Sequence, residues 1–258
     1  MTEPSPRLSL RGVTVAYDGH RALSDVDVSV GRGEFLALVG PSGSGKTTLL
    51  KTVNRLVECD AGAVFIDGAP VQDRSAADLR RSIGYVFQDI GLFPHMTVAQ
   101  NIWLVPALTG ADRDGRDARV AQLLDMVALP RELAGRKATQ LSGGQAQRVG
   151  FARALAAEPQ IVLMDEPFGA LDPVTRGDLG RAYRALHDAM GLTTVMVTHD
   201  MGEAMLLSDR IAVMRGGRIA ACGTPAELLS MRYDETVGGL LAEPLRQAER
   251  LLAMRGEG

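Results

Sequence analysis

The run Gly40-Pro41-Ser42-Gly43-Ser44-Gly45-Lys46-Thr47 constrains this chain more tightly than any other stretch. It follows a short continuous apolar run, 35–39, of the kind a strand buried on both faces requires. It opens a segment, 46–57, in which Leu49, Leu50 and Val53 recur on one side of a helix. Strand, glycine-rich turn and helix in that order match G-x-x-x-x-G-K-[ST] in the context that gives the pattern meaning. Glycines let the backbone curl so that successive N–H groups point inward at an anion. The helix N-terminus adds the positive end of its dipole. Lys46 supplies a full charge for β- and γ-phosphates, Thr47 a hydroxyl ligand for Mg²⁺, and Thr48 stands in the same first turn. The motif implies a bound nucleotide. Alone it leaves kinase, GTPase, helicase and transporter chemistry open.

The remaining pattern is organised around that unit. Residues 8–15 and 26–30 alternate as strands, with turn signals at Asp18-Gly19 and Gly31-Arg32-Gly33, and 64–67 reads as a further strand before Gly68. From about Gln88 to Glu158 the spacing is mainly helical, over 97–104, 115–128 and 142–157. Strand-type runs return at 161–164, 194–198 and 211–214, separated by helical stretches 174–190 and 201–207. Strands alternating with helices predict an α/β fold with a mainly parallel sheet covered on both faces. The expected domain spans 6–235, with its core in 6–87 and 159–235, an antiparallel N-terminal β part, and a helical subdomain inserted at about 88–158. A C-terminal helical tail is expected over 236–258, where Leu241, Leu245, Ala248, Leu251 and Leu252 fall roughly along one face.

Composition narrows the setting. A net charge of −3 and a pI near 5.8 argue against a nucleic-acid partner held by an overall basic field. No stretch approaches the ~18 apolar residues of a membrane span. Residues 1–7 have no signal-peptide core. Cys59 and Cys222 stand far apart with no metal-binding spacing, which suits reduced thiols in the cytosol. If the chain works at a membrane, another subunit carries it there.

A second acidic feature complements the phosphate loop. The apolar run 161–164 ends in Asp165-Glu166, so a buried strand delivers two carboxylates at its C-terminal end, where ligands sit in open α/β sheets. Asp165 is a candidate Mg²⁺ ligand, direct or through water, and Glu166 a candidate general base for an attacking water. Neighbouring strand residues point to opposite faces, so the chain has to turn at Glu166 for both to serve; Pro167 and Gly169 suit such a turn. Two surface carboxylates at a strand end are the plain alternative.

Leu141-Ser142-Gly143-Gly144-Gln145-Ala146-Gln147-Arg148 precedes a long helical run. Ser142 reads as an N-cap and Gln145 as the partner that completes a capping box. Capping leaves two glycines in the first turn unexplained, since they weaken a helix start. They let another molecule approach the exposed N–H groups, as a second anion site requires. LSGGQ resembles the signature of ATP-binding cassette proteins, and the resemblance extends from Leu8 to about Leu229. It implies a P-loop, RecA-like nucleoside-triphosphatase core, with ATP and Mg²⁺ as ligands. It further implies that two copies dimerise head to tail, each ATP lying between one copy's phosphate loop and the other's signature. Ser142, Gly143, Gly144 and Gln145 would then meet the γ-phosphate held by the partner. By the same resemblance Tyr17 stacks on adenine, and Gln88 senses Mg²⁺ and water. Gly169-Ala170-Leu171-Asp172 meets the second copy, and His199 is the switch histidine near the γ-phosphate.

One cassette without a membrane segment resembles the bacterial importers, whose permease and cassette are separate chains. That implies a peripheral protein at the cytoplasmic face of the inner membrane, served indirectly by a substrate-binding protein. Residues 83–105, IGYVFQDIGLFPHMTVAQNIWLV, resemble the cassettes of quaternary-amine importers for glycine betaine, choline and carnitine. Asp89 departs from the glutamine common there, and the chain stops short of the paired regulatory domains many of those cassettes carry. Amino-acid or other small-solute import is the alternative cargo class. A non-transport cassette ATPase and a P-loop kinase are the alternatives outside it. Leu92, Phe93, Pro94, Met96, Ile102 and Trp103 are readable either as the core of the helical lobe or as a docking groove for the permease.

Overall fold

The computed structural model describes residues 5–112, 114–169, 171–230 and 238–239. In chain order the elements are β1 (Leu8–Tyr17), β2 (His20–Val30), β3 (Phe35–Val39), α1 (Lys46–Val53), β4 (Ala61–Ile66), β5 (Ala69–Pro70), α2 (Ala76–Arg81) and β6 (Ile83–Val86). A helical stretch follows: α3 (Val98–Ile102), α4 (Leu104–Leu108), α5 (Arg116–Met126) and α6 (Gly143–Leu155). The chain then returns to alternation through β7 (Ile161–Asp165), α7 (Pro173–Met190), β8 (Thr193–Val197), α8 (Met201–Leu207), β9 (Arg210–Arg215), β10 (Arg218–Gly223) and α9 (Pro225–Ser230). The expected tail helix lies outside the described residues, apart from 238–239.

Two sheets result. One is antiparallel, in the order β2-β1-β4-β5; the other has six strands in the order β10-β9-β3-β8-β7-β6, parallel except for β10. The period of two along each central strand explains the continuous apolar runs. On β3, Phe35, Ala37 and Val39 join the core shared with the helices, while Leu36 and Leu38 join the core shared with the antiparallel sheet and α1. On β7, Val162 and Met164 take the first side and Ile161 and Leu163 the second. A strand between two cores has no solvent face on which to alternate.

Local chemistry sets the helix ends. Asp172 caps α7 by accepting from the Val174 and Thr175 N–H groups at 3.1 and 3.0 Å. Pro173 opens that helix, and Gly191, with φ 61°, closes it in the left-handed region. The helix expected over 46–57 stops at Val53, because Arg55 takes φ 54° and cannot continue it. One expected stretch is subdivided: 97–104 breaks at Trp103 between α3 and α4. Strand β6 carries only weak sequence signal, since Gly84 interrupts it. That glycine is required by packing: a Cβ there would lie 2.5 Å from the Ala154 carbonyl oxygen on α6.

Candidate functional site

Four neighbouring strands of the parallel sheet end along one edge, and each releases a functional segment there. β3 runs into Gly40, β8 into His199, β7 ends on Asp165 before Glu166, and β6 runs into Gln88. The strand order β3-β8-β7-β6 turns four distant sequence positions into neighbours at the carboxyl ends of the strands.

The phosphate loop is shaped by glycines at two close approaches. Gly40 has φ 145°, and a Cβ there would lie 2.2 Å from the Met214 carbonyl oxygen; Gly45 has φ 100°, with Ala22 O at 2.5 Å. Gly45 is the N-cap of α1 and offers no side-chain cap, so the first-turn N–H groups remain for a ligand. Lys46 Nζ donates to Gly40 O at 2.8 Å and Pro41 O at 3.0 Å. An ammonium has three donors, so one remains. Burial lowers the Lys46 pKa, and the Glu166 and Asp165 carboxylates oppose that shift. The loop lines a cleft of 630 Å³ together with Tyr17, His20, Ala22, Thr48, Gln88, Glu166 and His199. Tyr17, last residue of β1, is half exposed at its rim.

Thr47 Oγ1 donates to Asp165 Oδ1 at 3.0 Å. Asp165 is buried, and its pKa is raised by desolvation and by Glu166, against the lowering effect of Thr47, Lys51 and Lys46. Two hard oxygens at this separation match the cis edge, about 2.9 Å, of an octahedron with the 2.0–2.1 Å bonds of Mg²⁺. Among the described residues no group of three or more His, Cys, Asp or Glu forms a metal cage. A cation here would draw its other ligands from phosphate, water and the Gln88 amide, which is how Mg²⁺ is usually held.

At Glu166 the chain leaves strand geometry, with φ 44° and its N–H bonded to Val197 O at 2.9 Å. The turn lets Asp165 stay buried while Glu166 swings into the cleft. Glu166 Oε2 accepts from Gln88 Nε2 at 3.3 Å and faces His199 Nδ1 at 3.4 Å. Side chains that follow β6, β7 and β8 thus meet at one carboxylate oxygen.

The signature segment is built differently. Ser142 Oγ accepts from Gln145 N–H at 3.3 Å and Gln145 Oε1 accepts from Ser142 N–H at 3.1 Å, a reciprocal capping box. A Cβ on Gly143 would meet nothing within 4 Å. Ser142, Gly143, Gly144, Gln145 and Asp172 are not among the residues that line the cleft of their own chain. Of the apolar segment after Gln88, Ile102 is fully buried and Leu92 and Trp103 pack against the same core, while Phe93 is 42% exposed. The core reading therefore holds for Ile102, Leu92 and Trp103 and does not extend to Phe93.

Sequence reasoning passed over His20 and Ala22, which enter the cleft on the β1–β2 hairpin, and its only cue was the Asp18-Gly19 turn. It also passed over Gln147 and Arg153 on α6, which carry no local signal at all.

Comparison with known proteins agrees with this geometry. The ABC transporter family profile matches residues 23–169. The choline transport ATP-binding protein of Bacillus subtilis (strain 168) is 48% identical over 89% of this chain and 61% of its own length. The glycine betaine/carnitine/choline transport ATP-binding protein of the same organism is 46% identical over 96% of this chain and 64% of its own length. The chain thus spans less than two thirds of these relatives. The sulfate/thiosulfate import ATP-binding protein of Caulobacter vibrioides is 46% identical over 93% of this chain and 71% of its own length. Among solved structures, a dimeric ATP-binding cassette in a post-hydrolysis state with ADP and Pi superimposes with a TM-score of 0.78 at 35% identity, covering 84% of this chain and 98% of that one.

Proposed function

The chain belongs to the ABC transporter family, and on that premise we propose that it is the ATP-binding and ATP-hydrolysing subunit of a bacterial importer for quaternary-amine osmoprotectants such as glycine betaine or choline. It works as a head-to-tail pair of copies at the cytoplasmic face of the inner membrane, energising a separate permease that a substrate-binding protein supplies. Among the described residues no helix is long and apolar enough to cross a membrane. The observation that carries the catalytic reading is the meeting of Gln88 and His199 on Glu166 Oε2 beside the phosphate loop.

Each residue then has a task. The N–H groups of 40–48 and the free donor of Lys46 hold the phosphates, and Tyr17 offers its ring to adenine. Thr47, Asp165 and Gln88 would hold Mg²⁺, which when bound would neutralise charge on the β- and γ-phosphates. Glu166 accepts the proton of the attacking water, while Gln88 and His199 fix the orientation of its carboxylate. Ser142 to Gln145 close on the γ-phosphate held by the second copy, with Gly169 to Asp172 at the same contact. Binding of ATP joins the copies, and hydrolysis lets them part.

Of the apolar segment that follows Gln88, Phe93 is exposed and is the part open to a docking permease. Phe93→Glu is expected to abolish uptake while ATP binding by the isolated protein is kept.

Glu166→Gln tests the catalytic reading. It is expected to keep Mg-ATP binding, to lower phosphate release on the order of 10²–10⁴-fold, and to accumulate as an ATP-bound dimer in sedimentation. A variant that stays monomeric with ATP, or that hydrolyses at the parent rate, overturns it. A second cargo reading, import of another small solute, is favoured by the equal identity of the sulfate/thiosulfate relative. Uptake of labelled choline by a strain lacking the chain, with betaine, sulfate and amino acids as competitors, separates the two.

A further inference from the structure

Helix α6 touches both segments that carry the water-activating pair. On one side, Gln147 is 2% exposed and its Nε2 donates to the carbonyl of Pro167, the residue next to Glu166. One turn on, Phe151 stacks on Phe168 with centroids 5.7 Å apart and planes at 19°. On the other side, a Cβ on Gly150 would already lie 3.6 Å from Ile90, so the helix is in close contact with the segment after Gln88. Arg153, 7% exposed, sends Nη2 to Ile90 O at 2.8 Å and Nη1 to Gly91 O at 2.6 Å. Its guanidinium also lies over the Phe87 ring, 5.8 Å from the centroid.

Burying a guanidinium is costly unless its donors are matched, and carboxylates are the usual partners. Among the described residues no ion pair is recorded for Arg153; carbonyl oxygens of the Gln88 segment hold it instead. That segment needs holding. Ile90 has φ 20° and Gly91 φ 59°, a backbone that a β-branched residue does not adopt unaided. The planar fork of arginine gives each of the two successive carbonyls its own donor nitrogen in a fixed geometry, where a lysine would have to serve both from one nitrogen.

We infer that α6 is a crossbar that sets the 3.3 Å separation between Gln88 and Glu166, with Arg153 and Gln147 as its positioning residues. Arg153 holds the strand end that carries Gln88, and Gln147 holds the one that carries Glu166. Both fix their loops through backbone carbonyls, so neither touches the nucleotide. The inference rests on the proposed roles of Glu166 and Gln88. Because Ser142 caps α6, contact of its N-terminus with a second copy bears on the same rigid element that spaces the catalytic pair.

The test uses the full chain and four variants: Arg153→Lys, Gln147→Met, Gln88→Ala and Arg153→Lys combined with Gln88→Ala. Gln147→Met keeps side-chain length in a buried site and removes the donor, so it stays informative if Arg153→Lys proves unstable. Nucleotide affinity, KM and kcat for ATP hydrolysis, and melting temperature are read for each. Arg153→Lys and Gln147→Met are expected to lower kcat by about 10-fold or more with KM and nucleotide affinity within about two-fold, the split that misplacement of a catalytic group produces. In the Gln88→Ala background Arg153→Lys is expected to add almost nothing, because the contact it positions is gone. A kcat within two-fold of the parent for both variants, or a combined loss equal to the product of the single losses, overturns the crossbar. A Gln88→Ala variant that hydrolyses like the parent overturns the underlying catalytic reading instead, so the two failures are distinguishable.

Discussion

The two glycine-bearing helix N-termini proposed to meet phosphate are made in opposite ways. At α1 the glycines are demanded by the protein's own backbone: side chains at Gly40 and Gly45 would strike Met214 O and Ala22 O. At α6 nothing in the chain demands them. Gly143 faces open space, Gly144 would make only ordinary contacts with Leu171 and Thr175, and Ser142 with Gln145 already completes the local cap. A glycine in a first helical turn lowers helix stability for no internal return. The difference teaches that the first terminus belongs to a site built within the chain, and that the room at the second is kept for something outside it. In the proposed head-to-tail dimer that something is the nucleotide of the other copy.

Substitutions at the two termini break or sharpen that contrast. The largest effect is expected from Gly40→Ala, which should lower stability by about 3 kcal/mol and abolish nucleotide binding, since the Cβ has no place to go. Thermal melting and titration with a fluorescent ATP analogue would read both losses together. Gly143→Ala should separate the same two properties. Folding should hold or improve by about 0.5 kcal/mol, ATP affinity of the monomer should persist, and ATP-driven dimerisation and hydrolysis should drop by about 10-fold or more. If Gly143→Ala dimerises and hydrolyses normally, the α6 terminus is not a contact for the second copy. Ser142→Ala should cost about 1 kcal/mol of stability through loss of the cap, whichever role the terminus plays, so that chemical denaturation isolates the local term.

The smallest effect concerns pH and lies away from both termini. His187 is fully buried, with Nδ1 2.9 Å from Thr194 Oγ1 and Nε2 3.2 Å from Gly33 O, while Tyr183 OH lies 2.8 Å from the same threonine hydroxyl. Burial lowers its pKa below the usual 6.5. The unfolded chain therefore binds the extra proton first as pH falls. The stability from keeping His187 neutral is complete above pH 6.5 and is lost as pH drops from there toward the folded value. Denaturant melts between pH 7.5 and 5 should show this decline, and His187→Gln should flatten it. His199→Ala should instead lower hydrolysis, because its Nδ1 faces Glu166 Oε2 at 3.4 Å.

Much of the site was legible because its signals are local. The phosphate loop, the capping box at Ser142 and the turn after Asp165 are each specified within about eight consecutive residues, where backbone stereochemistry and first-neighbour hydrogen bonds decide the outcome. The long strands and α7 were legible for the same reason. Strand β6 was not, since Gly84 serves a contact with α6 that no neighbouring residue announces. The apolar segment after Gln88 could not be apportioned either. Leu92, Phe93 and Trp103 look alike in sequence, and only packing sends Phe93 outward and the other two against the core.

From the sequence alone came the nucleotide loop, the paired carboxylates, the signature and the α/β alternation that carries them. The tertiary structure alone decided which of these meet. Gln88, Glu166 and His199 converge because β6, β7 and β8 are adjacent and parallel, an order set by how the helices pack over the sheet rather than by any short motif. It also decided that the signature lies off the cleft of its own chain, and that Gln147 and Arg153 of α6 bond to the backbone beside Glu166 and after Gln88. The physical reason is one of range. Hydrogen bonds between near neighbours are written in the local residue order, whereas a contact such as that between Arg153 and Gly91 exists only after the chain between them has closed into a packed lobe.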